Sequence, residues 1–177
     1  MTADDLADAL DAAVAYARQT LLTDAALPPQ YVLSIGTGLM PVLPTRPHQG
    51  AQETVELVQV MTATFWPEWV AFVMAGPHPD ADTPAETADT VYVYVTTPEG
   101  WDAHIAAIRR DGAGSPRELV DITQQTGPVG GPFDQIYPPQ KPDHMLREQG
   151  LAYLNQVLGA ERVRPLAEQA GLEDPMG

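Results

Sequence analysis

The sequence predicts an α+β fold: an antiparallel sheet of about five or six strands with two helices on one face, plus a C-terminal helical extension. Three observations lead there. Apolar residues near the start recur at helical spacing. Between residues 30 and 123, short apolar or alternating runs are punctuated by glycine and proline, as in a meander of strands. Past residue 126 the chain turns rich in Gly and Pro, and a second amphipathic pattern follows. The expected organisation is an α+β domain over 1–126, a Pro/Gly-rich strap over 127–142 and a helical arm over 143–177.

The first element is a helix. Leu6, Leu10, Val14, Ala17 and Leu21 make one apolar stripe, while Asp4, Asp8 and Asp11 lie off it. Pro28 and Pro29 forbid its continuation. A hairpin follows. Tyr31, Leu33 and Ile35 alternate with Val32 and Ser34, Gly36-Thr37-Gly38 turns the chain, and Leu39 to Leu43 returns. Over residues 51–65, Val55, Val58, Thr62 and Phe65 fit one helical face. Fifteen residues is long for a strand, so a helix is expected, ending at Pro67.

Glu68 to Ala75 is almost wholly apolar and reads as a buried central strand. Gly76 to Ala88 reads as a long loop with three prolines, and Asp89 to Thr97 as a further strand with Val91, Val93 and Val95 on one side. Residues 97–112 admit a helix from Thr97 to Gly112 or a strand. The strand is preferred, because Asp111-Gly112 then opens a hairpin towards Arg117 to Thr123 and the meander needs only short connections. In the arm, Asp143 caps a helix carrying Leu146, Leu151, Leu154, Val157 and Leu158, and Gly159 stops it. A last helical turn or two is expected around Pro165 to Ala170.

Composition excludes more than it proposes. At 177 residues the chain buries enough surface for one real core. It has no cysteine, which removes disulfides, thiol catalysis and thiolate metal sites. Acidic residues number 24 against 9 basic, a net charge of −15, which argues against nucleic-acid binding. The first eleven residues hold four aspartates and no Lys or Arg, the opposite of a secretory start. The longest uncharged apolar run, Trp69 to Gly76, is too short to span a bilayer. A cytoplasmic location without membrane association is expected.

Motifs for chemistry are sparse. Ser34-Ile35-Gly36-Thr37-Gly38 and Asp111-Gly112-Ala113 resemble short stretches of patatin-like lipases, whose Ser–Asp dyad needs a G-x-S-x-G elbow. Val32, not glycine, stands two before Ser34, and the two motifs come in the wrong order for that family. No Gly-Lys pair or G-x-G-x-x-G supports nucleotide binding. His78, Asp80 and Asp82 alternate and are the weak candidates for a hard divalent ion, but the loop lacks EF-hand spacing and no metal or cofactor is expected. Glu53 and Glu56 share a helical face opposite the apolar stripe, a solvated position.

What stands out is charge. No Lys or Arg occurs between Arg46 and Arg109, while Glu53, Glu56, Glu68, Asp80, Asp82, Glu86, Asp89, Glu99 and Asp102 all fall there. Such a field steers a basic partner. Trp101 is the tryptophan expected partly exposed and Trp69 the one in the core. The expected function is a non-enzymatic, acidic interaction or accessory protein. Its expected contact residues are Trp101, Glu53, Glu56, Asp80, Asp82 and, in the arm, Leu151 and Leu154, with a protein partner and a homodimer through 143–177. The alternatives are an acidic antagonist (an immunity protein or nucleic-acid mimic) and a hydrolase assembled from scattered His and carboxylate residues.

Overall fold

The computed structural model describes residues 3–24, 26–42, 50–76, 90–128 and 135–172. Its elements, in chain order, are α1 (Ala3–Asp24), β1 (Gln30–Ile35), β2 (Gly38–Val42), α2 (Gly50–Phe65), β3 (Val70–Gly76), β4 (Thr90–Thr97), β5 (Gly100–Arg110), β6 (Pro116–Pro128), α3 (His144–Leu158) and α4 (Ala160–Gln169). The six strands form one sheet in the order β2-β1-β3-β4-β5-β6, every neighbouring pair antiparallel. The fold is α+β with a C-terminal helical part. Residues 97–112 take the strand form.

The sheet is apolar on both sides. All six residues of β1 are buried. Val32, Ala71, Val73, Val91, Val93 and Val95 face α1, which packs on them through Ala9, Leu10, Ala13, Ala17 and Leu21. The three alanines let the helix approach closely. Tyr16 Oη donates to Gln30 Oε1 at 3.0 Å and ties α1 to β1. The opposite face presents Tyr31, Leu33, Ile35 and Val70 to Val58, Met61 and Phe65 of α2, Leu151 and Leu154 of α3, and Val163 and Ala167 of α4.

One expectation is therefore corrected. The N-terminal helix and the second helix do not share a face: α1 lies on one side, while α2 and α3 together cover the other. The reason is the near-continuous apolar run of β1 and β3. A strand apolar on both faces needs a cover on both.

The C-terminal part docks on its own chain. Asp143 caps α3, its Oδ1 accepting from Leu146 N at 2.9 Å. Arg147 Nε donates to Thr64 O at 2.9 Å and satisfies a carbonyl that the end of α2 leaves open. At the α2–α3 crossing stands Gly150, where a Cβ would overlap Thr64 Oγ1. Far from being a turn or two, α4 is ten residues long. Its end rests on the β1–β2 turn, where Gly36 has φ 57° and a Cβ would meet Gln169 O at 2.5 Å. Strand β6 runs to Pro128, so the pairing continues into the first residues of the expected strap. The expected loop over 77–88 lies outside the described residues. Among the described residues, no helix is long and apolar enough to cross a membrane.

Candidate functional site

The segment that leaves α2 is the starting point. Helix α2 ends at Phe65, and Trp66 takes the left-handed backbone conformation, φ 52°, donating its N–H to Thr62 O at 2.9 Å. Glycine normally fills that exit position, because a side chain there costs about 1–2 kcal/mol. Pro67 follows, and the chain is then pinned to β1: Glu68 N donates to Ser34 O and Ser34 N to Trp69 O, both at 3.0 Å. A bulky residue thus sits in an unfavourable conformation on a firmly held backbone. Such outliers cluster at binding sites.

The β4–β5 turn lies alongside. Thr97 Oγ1 accepts from Glu99 N at 3.3 Å and from Gly100 N at 3.2 Å, which fixes Pro98 and Glu99. The first turns of α1 contribute Asp5 and Asp8. Together these elements line an open cleft of about 600 Å³ that carries Asp5, Asp8, Trp66, Glu68, Trp69 and Glu99. Trp69 is nearly buried at 6% exposure, whereas Trp66 is half-buried.

Residues 135–142 pack against Trp66 and α2 and are not among the residues lining the cleft. Ile136 is buried in the core with α2, and Gln59 Nε2 donates to Gln135 O at 3.0 Å. Tyr137 packs edge to face on Trp66, ring centroids 5.6 Å apart, and its hydroxyl donates to Pro67 O at 3.0 Å. Burial pushes the Tyr137 phenol well above the ordinary tyrosine range, and the charges of Glu99 and Glu68 push it further. It stays a proton donor. Lys141 Nζ lies 5.9 Å from the Trp66 ring centroid, within cation–π range.

Four exposed carboxylates thus surround a half-buried indole, and their combined charge makes the cleft electronegative. The carboxylates do not converge on a point: among the described residues no three His, Cys, Asp or Glu side chains are placed to hold a metal ion.

The expected contact residues lie elsewhere. Glu53 and Glu56 are exposed on α2, with Gln52 Nε2 donating to Glu56 Oε1 at 3.1 Å. Trp101 is half-buried on β5, paired with Thr96 and Gly127, and is not among the residues lining the cleft. Leu151 and Leu154 are 4% and 0% exposed, inside the core shared with α2. His78, Asp80 and Asp82 fall outside the described residues. Of the scattered polar groups, Asp102 and His104 lie two apart on the α1 side of β5, opposite Val95 and Val93; Asp102 Oδ1 accepts from Ala103 N at 2.7 Å, and His104 Nδ1 is buried without a hydrogen-bond partner.

Sequence reasoning missed the cleft itself, although two signals pointed to it. Glu68 and Glu99 belong to the stretch without basic residues, and Phe65 to Trp69 packs three aromatic residues into five positions. No protein-family model matches the chain, and neither a curated protein nor a solved structure matches it.

Proposed function

We propose that this chain is a cytoplasmic, non-enzymatic interaction protein whose acidic cleft takes a cationic segment of a protein partner. The observation that carries this reading is Trp66. Its backbone is held in a costly left-handed conformation beside a cleft lined by Asp5, Asp8, Glu68 and Glu99, and an ammonium of the same chain lies 5.9 Å from its ring centroid. Cation–π contact and carboxylate charge reinforce each other, and the net charge of −15 draws a basic partner in from a distance. A nucleic-acid mimic calls for a row of charges at phosphate-like spacing; these carboxylates come from three separate segments around one cleft.

The test is titration with short arginine- and lysine-rich peptides, followed by tryptophan emission and calorimetry. Binding is expected to weaken steeply with added sodium chloride. It is expected to fall in Glu68→Gln with Glu99→Gln and to persist in Glu53→Gln with Glu56→Gln. Equal loss in the two double variants would reduce the effect to net charge and overturn the reading.

A second surface favours self-association through the arm. Although Leu151 and Leu154 are turned inward, Met145, Leu146, Tyr153 and Val157 of α3 are 61%, 54%, 47% and 51% exposed. Light scattering on the full chain tests this homodimer. A Leu146→Asp, Val157→Asp variant that leaves the mass of a dimer unchanged would exclude α3 as its interface.

A further inference from the structure

We infer that two copies of this chain pair through the outward face of α3, helix against helix and antiparallel, while each α3 stays docked on its own core. The inference rests on the reading of α3 as a self-association surface and names the arrangement of the two copies.

Met145, Leu146, Gln149, Tyr153, Gln156 and Val157 are all exposed and lie on one side of α3 over three turns. None carries a charge. The other helices turn acids or bases outward: Asp5, Asp8 and Asp11 on α1, Glu53 and Glu56 on α2, Arg162 and Arg164 on α4. The uncharged face also belongs to a neutral region. Residues 135–172 hold four acidic and four basic side chains, whereas residues 1–134 hold 18 acidic and 5 basic, a net charge of −13. Two like-charged copies repel across most of their surface. They meet at least electrostatic cost where the charge balances, and the exposed apolar side chains supply the drive. A basic partner is drawn to the acids instead, so a second copy is the occupant that matches this face.

The pattern sets the direction. The six residues are placed symmetrically about Leu151: Met145 and Val157 six positions away, Leu146 and Gln156 five, Gln149 and Tyr153 two. A two-fold dimer sets residue i against j and j against i. Antiparallel α3 helices then put Met145 opposite Val157 and Gln149 opposite Tyr153. None of the paired positions is charged, and the two helix dipoles oppose rather than align. No exchange of arms is needed, because Leu151 and Leu154 are already buried and Arg147 is bonded to Thr64 O of the same chain. One helix pair is expected to bury no more than roughly 1,200 Å², the low end of specific interfaces, so the dimer is expected to dissociate on dilution.

The natural sequence has no cysteine, so single-cysteine chains report contacts one at a time. Disulfide formation is measured for Met145→Cys, for Val157→Cys and for an equal mixture of the two. Asp11→Cys, at an exposed position on α1, sets the rate of random collision. The mixture is expected to cross-link about fivefold faster than either chain alone, because only the mixed pair brings two thiols within disulfide reach. Sedimentation of the natural chain is expected to show a mass rising from one chain towards two with concentration. If Met145→Cys or Val157→Cys alone cross-links as fast as the mixture, and faster than Asp11→Cys, the antiparallel arrangement is overturned while self-association through α3 stands. If every rate matches Asp11→Cys, α3 is not an interface between copies, and the reading and the arrangement fail together.

Discussion

Trp66 and Tyr137 meet edge to face, their ring planes 77° apart and their centroids separated by 5.6 Å. They are 71 positions apart in the sequence, and the contact joins the exit of α2 to the strap before α3. A backbone irregularity, a largely buried phenol and a lysine are gathered around Trp66, which also lines the acidic cleft.

The backbone at Trp66 yields a stability prediction. With φ at 52°, glycine is preferred over alanine once the indole is gone. Trp66→Gly is expected to be about 1 kcal/mol more stable than Trp66→Ala. Both lose the Tyr137 contact, so the difference isolates the backbone. Urea denaturation of the two variants measures it.

Tyr137 makes stability depend on alkaline pH. Its folded-state pKa lies above the ordinary value, through burial first and then through Glu99 and Glu68. The folded chain therefore keeps a proton that the unfolded chain releases. Stability is held below the unfolded value of about 10 and falls as pH rises past it. Tyr137→Phe removes this share of the slope. It also leaves Pro67 O without its donor, at a cost of about 1 kcal/mol at neutral pH. Denaturant midpoints measured at about pH 8 and about pH 11 are expected to converge for the two chains. Tyr31, also raised by burial, supplies a slope that remains.

Gly150 tests the α2–α3 crossing. An added Cβ overlaps Thr64 Oγ1 and lies 3.1 Å from Thr64 Cβ. Gly150→Ala is expected to lose about 1–3 kcal/mol despite the better helix propensity of alanine. Pairing it with Thr64→Ala is expected to restore part of that loss, which a double-mutant cycle reads directly.

The arm is predicted to be needed by the core. Leu154 of α3 is fully buried in the core shared with α2, and Leu154→Ala is expected to cost about 2–5 kcal/mol. Deleting 143–177 uncovers Val58, Met61 and Phe65. The shortened chain is expected to lose its cooperative thermal transition in calorimetry. A sharp transition in that chain would show that the remaining core stands alone.

Salt is expected to stabilise. The cleft gathers Asp5, Asp8, Glu68 and Glu99 in a chain of net charge −15. The surface pair Arg109–Glu118 at 3.2 Å is more than half exposed on each side and contributes little against that repulsion. The thermal midpoint is expected to rise from low salt to about 0.2 M sodium chloride. Glu99→Gln is expected to reproduce part of the rise at low salt. A midpoint that falls with salt would mean that attractive pairs dominate.

The sequence by itself determined the elements. Periodicity marked α1 and α2, Gly36-Thr37-Gly38 marked the first hairpin, and Asp143 marked the start of α3, because each of these signals is local in the chain. The apolar run from Trp69 carried more than was read from it. Its two apolar faces require helices on both sides of the sheet, and the tertiary structure put α1 on one and α2 with α3 on the other. The acidic character was legible as a count, and the stretch between Arg46 and Arg109 as a field. Which acids act together was decided only by folding. Asp5 and Asp8 come from α1, Glu68 from the approach to β3 and Glu99 from the β4–β5 turn, and antiparallel pairing of β3 with β4 brings the last two to one end of the sheet. Trp66 gave no sign in the sequence of its left-handed backbone, nor Tyr137 and Lys141 of their place beside it. Those positions come from contacts between residues far apart in the chain, and no local pattern encodes such contacts.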